Sequence, residues 1–80
     1  MPKNKELEPL RNQIDQIDDR LLNLINDRVR LASEIGSRKT GLGAPVYRPE
    51  REVQILDRLI KSSQGPLSED AIKTIFREII

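Results

Sequence analysis

The sequence predicts an all-α protein with one long helix followed by two shorter ones. Apolar residues recur at alternating steps of four and three from about residue 6 to residue 39, which is the spacing of one face of a long helix. Two later stretches, about 49–61 and 68–80, show the same helical spacing. Segments rich in Gly, Pro and Ser separate the three stretches, and 80 residues are enough for one small domain.

The predicted first helix carries a heptad repeat. Its core positions hold, in order, Leu10, Ile14, Ile17, Leu21, Leu24, Arg28, Leu31 and Ile35. Further apolar residues widen this stripe towards the packing of a helical bundle; they are Leu7, Leu22, Ile25 and Ala32. Pro9 is expected in the first turn, where its missing N–H costs no hydrogen bond. About thirty residues at ~1.5 Å each exceed the width of a small globule, so we expect a second chain along this helix.

Residues 40–49 hold two Gly and two Pro and are predicted to form a loop. Pro49 suits the first position of the second helix, because that position needs no N–H. The apolar face of this helix is formed by Val53, Leu56, Leu59 and Ile60. After a stop at 62–66, Ser68 is a suitable N-cap for the third helix. The apolar face of the third helix is formed by Ala71, Ile72, Ile75, Phe76, Ile79 and Ile80.

The composition excludes several classes of function. Without Cys or His, the chain has no disulfide, no thiolate or imidazole metal ligand and no Ser-His or Cys-His nucleophile. A net charge of +1 and only two aromatic residues, Tyr47 and Phe76, argue against nucleic-acid and membrane binding. No apolar run approaches the ~20 residues of a membrane span, so a cytoplasmic protein is expected. A domain this small usually needs oligomerisation when it lacks disulfides and metals.

Arg28 is the most informative residue, because it occupies a core position of the repeat. A helix turns ~100° per residue, so Lys39 lies within about 20° of Arg28 on the same face. Two inward-facing cations require an anion, since burying them unpaired is costly. In the alternative, Arg28 extends its guanidinium into water and Lys39 is an exposed cation at the helix end.

A second group of charges opens the second helix: Arg48, Glu50, Arg51 and Glu52. If this helix folds back on the first, its N-terminal end faces Arg28 and Lys39. Arg binds carboxylates bidentately and Glu accepts from hydroxyls, so the combined set suits a small ligand with carboxylates and a hydroxyl. A solvated first turn is the alternative for this group.

Arg11 flanks the stripe but lies ~25 Å along the helix from Arg28, so it cannot join that site within its own chain. In an antiparallel dimer, Arg11 would complete the site of the partner; a surface Arg without a role is the alternative. A site of Arg, Lys and Glu has no metal and no evident cofactor. Such a site can hold a dianion in one conformation and stabilise charge on an oxygen, which suits an intramolecular rearrangement.

Three spaced motifs together resemble the all-helical class of chorismate mutases. They are L-R-x-x-I-D-x-I-D from Leu10, R-x-x-L-A-x-E-I-G-x-x-K from Arg28 and P-V-Y-x-P-x-R-E from Pro45. The resemblance covers about residues 7–80, in particular to the mutase domain of bifunctional chorismate mutase/prephenate dehydratases. It implies that residues 1–80 are a homodimeric chorismate mutase domain of phenylalanine and tyrosine biosynthesis, with a fused C-terminal prephenate dehydratase domain in the full-length protein.

The family converts chorismate to prephenate by a Claisen rearrangement without a cofactor. By resemblance, Arg28 and Arg11 of the partner subunit hold the substrate carboxylates, and Arg51 supports that region. Lys39 donates to the ether oxygen as the C–O bond breaks, and Glu52 accepts from the ring hydroxyl. The resemblance thus implies two catalytic residues, Lys39 and Glu52, and four substrate-binding residues, Arg11, Arg28, Arg48 and Arg51.

The chain departs from the family pattern in two places. Arg48 stands where some relatives have an Asp that helps to bind the hydroxyl, and an Arg cannot accept that hydrogen bond. The family's third helix also continues beyond residue 80 with a Ser and, four residues later, a Gln or Glu that donates to the ether oxygen. We therefore expect the C-terminal end of helix three to be missing here, and loss of one such donor costs ~10²–10³ in rate.

Two other functions remain open from the sequence. An isochorismate pyruvate-lyase shares the helical fold and the pocket for a dianion, and its products would distinguish it from a mutase. A non-catalytic helical dimerisation module would have no ligand and would tolerate Leu at position 28.

Overall fold

A computed structural model describes residues 3–40 and 48–80, and these residues form three α-helices. Helix α1 spans Lys3–Thr40, α2 spans Pro49–Ser62 and α3 spans Glu69–Ile79. Neither described range contains a strand, so the all-α prediction is confirmed. The loop predicted between α1 and α2 falls largely on residues 41–47, outside the described residues. Within the described helices, no segment is long and apolar enough to cross a bilayer.

Helix α1 begins earlier than the sequence predicts, and this places Pro9 inside the helix. The expectation that Pro9 lies in the first turn is therefore wrong. Its nitrogen has no hydrogen to donate to the carbonyl of Lys5, four residues earlier, and its ring crowds that carbonyl. The polar residues before Leu7 carry no apolar periodicity, so the pattern gave no signal for this additional turn.

The apolar stripe of α1 is exposed in the single chain. Exposed fractions of 40–63% are found for Leu7, Leu10, Ile14, Ile17, Leu21, Leu22, Leu24, Val29, Leu31 and Ile35. Along the neighbouring edge of the helix, Ile25 and Ala32 are half-buried and Gly36 is buried. The described part of the chain therefore leaves the predicted heptad face of α1 without cover.

Helices α2 and α3 pack on each other in a unit separate from α1. The core of this unit consists of Ile55, Leu56 and Ile72, with exposed fractions of 8%, 6% and 4%. Val53 was predicted on the apolar face but is 58% exposed. At ~100° per residue, Val53 lies ~160° from Ile55 and ~60° from Leu56 around the helix, so it stands at the edge of the buried face of α2.

The ends of the two shorter helices follow the chemistry of the sequence. Pro49 occupies the first position of α2, as predicted. The Ser68 hydroxyl accepts a hydrogen bond from the backbone N–H of Ala71 at 3.1 Å, so the predicted N-cap of α3 is confirmed. The acidic residues Glu69 and Asp70 follow in the first turn of α3, where they complement the helix dipole.

We predict that Pro9→Ala stabilises α1. The substitution supplies the N–H that the Lys5 carbonyl lacks and removes the crowding, and interior Pro costs up to about 3 kcal/mol. Because residue 9 lies near the helix end, we expect a gain of about 1 kcal/mol in the free energy of unfolding, measured by urea denaturation at fixed protein concentration. Glu8→Ala is the matched control and should change little; equal gains in both variants would contradict the prediction.

Candidate active site

The six candidate residues fall into two groups, each within one unit of the structure. Three lie on α1: Arg11, Arg28 and Lys39. The other three, Arg48, Arg51 and Glu52, lie at or beside the N-terminus of α2.

Arg28 differs from the residues around it on the heptad face. It is half-buried, whereas the core-position residues on either side, Leu24 and Leu31, are 63% and 60% exposed. Neither residues 3–40 nor residues 48–80 give its guanidinium a hydrogen bond or an ion pair. Arg28 is therefore a partly covered cation without an acidic partner in the described ranges, and its guanidinium is available to an anionic ligand.

Two nearby cations on α1 are paired with acids of the same helix. Arg30 binds Asp27 at 2.5 Å, and Arg38 binds Glu34 at 2.8 Å. Both pairs are exposed and follow the (i, i+3) and (i, i+4) spacing of a solvated helix surface. Lys39, in the last turn, is exposed and has no ion pair within the described residues. The acids of this half of α1 therefore neutralise neighbouring cations and leave Arg28 and Lys39 available.

Arg28 and Lys39 are eleven residues apart on α1, which separates their Cα atoms by ~16 Å along the axis. Arg11 is exposed and lies ~25 Å from Arg28 along the same axis. The helix thus carries Arg11 near one end and the other two cations in its second half. Side chains on one rigid helix cannot bridge that gap, so Arg11 and Arg28 of one chain do not share a site.

At the start of α2, Arg48 is the N-cap residue, and its side chain makes no capping hydrogen bond. Its backbone carbonyl instead accepts from the N–H groups of Arg51 and Glu52, each at 3.1 Å. Its side-chain Nε donates to Oε1 of Glu50 at 2.9 Å. Arg51 is exposed and Glu52 is half-buried. The start of α2 thereby holds the paired Arg48, the exposed Arg51 and the partly covered carboxylate of Glu52.

The sequence pattern does not predict the pair between Arg48 and Glu50. The two side chains are two residues apart, which is not a helical contact spacing, and they meet because Arg48 lies just outside the helix. The pair holds the Arg48 guanidinium beside an acid at the N-terminal end of α2.

The chemistry of both groups is that of anion and hydroxyl recognition. Arginine and lysine supply charge-assisted donors for carboxylates or a developing oxyanion, and a glutamate accepts from a hydroxyl. Within the described ranges, no three Asp or Glu side chains gather in a way that could hold a metal ion.

Comparison with known proteins identifies the family. The family model for type II chorismate mutase matches residues 10–80. The chain belongs to this family. The predicted family is thereby confirmed, and chorismate mutase is the activity that the family's description names.

Relatives and solved structures agree with this assignment. The chain is 47% identical to the bifunctional chorismate mutase/prephenate dehydratase of Neisseria gonorrhoeae over 72 aligned residues, which cover 90% of this chain and 19% of that protein. It is 42% identical to the chorismate mutase of Methanocaldococcus jannaschii over 57 aligned residues, which cover 71% of this chain and 58% of that protein. The structure of chorismate mutase (form II) from Thermus thermophilus aligns with a TM-score of 0.85 at 36% identity, covering 92% of this chain and 84% of that one.

The chain spans about a fifth of the length of the bifunctional relatives that it matches, 19–23% in three of them. It spans a much larger share of the Thermus chorismate mutase chain. The similarity therefore lies in the mutase portion of the longer proteins.

We predict that Arg48→Asp stabilises the start of α2. An Asp at the N-cap can accept hydrogen bonds from the first-turn N–H groups, which the Arg side chain cannot, and it complements the helix dipole. We expect a gain of about 1 kcal/mol in the free energy of unfolding at fixed protein concentration. Arg48→Ala is the control, because it removes the pair with Glu50 without adding a cap; it should be neutral or slightly destabilising. A loss of stability in the Asp variant would contradict the capping argument.

Proposed function

We propose that this chain catalyses the Claisen rearrangement of chorismate to prephenate at a site whose residues lie on α1 and at the start of α2. The observation that carries the proposal is Arg28. It is a half-buried cation at a core position, without an acidic partner among the described residues, in a chain that belongs to the chorismate mutase family. Substrate carboxylates would supply the missing anion.

In this proposal the active form is an intertwined antiparallel homodimer. The exposed heptad face of α1 needs a second helix, and a second copy of α1 provides the same apolar surface. The ~25 Å between Arg11 and Arg28 supports a site shared between two chains, because an antiparallel partner brings its own Arg11 to the second half of α1.

The proposed residues have distinct roles. Arg28 and Arg11 of the partner subunit bind the two carboxylates, and Arg51 and Arg48 line the same region. Lys39 donates to the ether oxygen, which gains negative charge as the C–O bond lengthens, and Glu52 accepts from the ring hydroxyl. Catalysis then consists of holding a compact conformer of the substrate and stabilising the polar transition state, without a cofactor or a covalent intermediate.

The proposal extends to the whole protein. Several of the relatives are bifunctional, so we propose a fused prephenate dehydratase domain after the mutase domain. We also propose a cytoplasmic location for both activities. Fractionation of cells that express the full-length protein, followed by both assays on each fraction, tests these two statements.

We predict that Arg28→Leu abolishes turnover and keeps the dimer. Leu restores an apolar residue to the core position, so assembly is retained or strengthened, while loss of a charge-assisted contact to a carboxylate lowers kcat/KM by at least about a hundredfold. Chorismate disappearance and prephenate formation measure the activity, and sedimentation equilibrium measures the assembly.

Arg30→Leu is the matched control, because Arg30 is paired with Asp27 on the helix surface, and it should retain activity. An active Arg28→Leu variant would exclude the role proposed for Arg28, and formation of pyruvate in place of prephenate would exclude the mutase reaction. If the wild-type chain is folded but inactive, the assay is repeated on a chain whose third helix is extended by the family's Ser and Gln or Glu. Continued inactivity would then exclude the proposed function.

We predict that two inactive variants, Arg11→Ala and Arg28→Ala, restore activity when their subunits are mixed. In a mixed dimer, one site contains both arginines and the other contains neither. Random exchange makes about half of the dimers mixed, each with one intact site, so about a quarter of wild-type activity should return.

The mixture is unfolded and refolded together to allow exchange, and each variant refolded alone is the control. If Arg11 acted in the site of its own chain, every site would lack one arginine and no activity would return. That result would contradict the shared site while leaving the role of Arg28 intact.

A further inference from the structure

The two flanks of the heptad stripe on α1 differ in a way that bears on how two copies pair. We call the residues that stand directly before a core position, on one side of the stripe, the g flank; they are Glu6, Gln13, Arg20, Asp27 and Glu34. The residues that stand directly after a core position, on the opposite side, form the e flank; they are Arg11, Asp18, Ile25, Ala32 and Lys39. Ile25 and Ala32 of the e flank are half-buried, whereas Arg20, Asp27 and Glu34 of the g flank are exposed and charged. The e flank also carries the exposed charges Arg11, Asp18 and Lys39, but Ile25 and Ala32 beside the central core positions are apolar. Beside these central positions, charge can therefore select a partner mainly along the g flank.

A parallel pairing of two α1 helices is disfavoured by the core itself. In a parallel pair, each core residue faces its own copy, so Arg28 would face Arg28 of the partner subunit. Two like charges facing each other at a core position are strongly unfavourable. The remaining arrangement is antiparallel, in which each flank meets the same flank of the partner.

The charges on the g flank distinguish the antiparallel registers, which differ by one heptad. When Leu21 faces Leu24 of the partner subunit, Arg20 lies beside Asp27 of the partner subunit, and the two-fold axis repeats the contact. A shift of one heptad in one direction places Arg20 beside the partner's Arg20. The opposite shift brings Arg20 beside Glu34 of the partner subunit, but it also places Asp27 beside the partner's Asp27. Of these three registers, only the first brings opposite charges together without a like pair.

We propose that Arg20 of each subunit pairs with Asp27 of the other, and that these two ion pairs set the register of the dimer. The inference rests on the dimer proposed above. Arg20 has no ion pair within the described residues, so its guanidinium is available to a second chain. Asp27 accepts from Arg30 through Oδ1 at 2.5 Å, and a carboxylate can accept from two cations.

The register chosen by charge also has the geometry that the shared site requires. Along the axis, it places Arg11 level with position 34 of the partner subunit, which is six residues from Arg28 and five from Lys39 on that helix. These intervals correspond to ~9 Å and ~7.5 Å along the axis, with space for a small dianion between the cations. The neighbouring registers would place Arg11 level with position 27 or position 41 of the partner. The g flank thus positions the binding residues without touching the substrate.

The test reverses the charges singly and together. In Arg20→Glu and in Asp27→Arg, both contacts become repulsive, so the dimer dissociation constant measured by sedimentation equilibrium should rise by about tenfold at low salt. In the double variant Arg20→Glu/Asp27→Arg, opposite charges face each other again and the constant should return to within about threefold of wild type. Residues 20 and 27 are two helical turns apart, so this recovery cannot arise within one helix. In 1 M NaCl the differences should shrink, because salt screens exposed charges.

Arg30→Glu is the control, since it breaks the pair that Asp27 makes within its own chain. The inference is supported if the dissociation constant rises in both single variants, returns towards wild type in the double variant and changes little in the control. Failure of the double variant to recover overturns the register, as does an effect of Arg30→Glu equal to that of Asp27→Arg. A monomeric wild-type chain would overturn both the dimer and the register. A wild-type dimer without mutase activity would overturn the proposed function, while the charge variants would still test the register.

Discussion

The long helix α1 presents more apolar surface than the described part of its own chain covers, and the other features of the protein depend on how that surface is buried. Ten large apolar side chains on α1 remain 40% or more exposed, whereas the packing between α2 and α3 buries only three residues. Apolar burial is the main favourable contribution to folding, so a chain that leaves this stripe in water has little to offset the loss of conformational entropy. The stripe therefore makes association part of folding.

Arg28 interrupts this stripe at the point where a leucine would stabilise the assembly most simply. A cation at a core position weakens packing and must be compensated, which natural proteins tolerate mainly where function requires it. The exposed pairs Arg30–Asp27 and Arg38–Glu34 contribute little to stability individually. Their importance is that they occupy the nearby acids, so the positive charge of Arg28 remains uncompensated by its own helix.

The parts of the fold that follow from local chemistry could be predicted from the sequence. The stripe of α1, Pro49 at the start of α2 and the Ser68 cap each depend on a few neighbouring residues, and each was found as expected. Pro9 was misplaced because a polar turn extends the helix beyond its periodic residues. Val53 lies in α2 as predicted, but it stands at the edge of the face that α3 covers and stays exposed.

The residues of the candidate site also differ in how well the sequence predicts them. Arg28 could be singled out because it breaks a local pattern. The ion pair between Arg48 and Glu50 could not, because it depends on the backbone position of Arg48 just outside α2. The role of Arg11 depends on a second chain, so it cannot be read from the fold of one chain. The charges along the g flank of α1 are the feature of the sequence from which the register of the two chains can be inferred.

The order of the helices along the chain has a consequence for synthesis. Helix α1 leaves the ribosome before α2 and α3, and the small core formed by Ile55, Leu56 and Ile72 is completed only when α3 has emerged. Throughout translation, the nascent chain displays a long apolar face that none of the residues described later in the chain covers. Such a surface is a substrate for chaperones and a nucleus for aggregation until another copy arrives. Neighbouring ribosomes on one messenger RNA hold such copies close together, so assembly during translation would shorten the time for which this face is exposed.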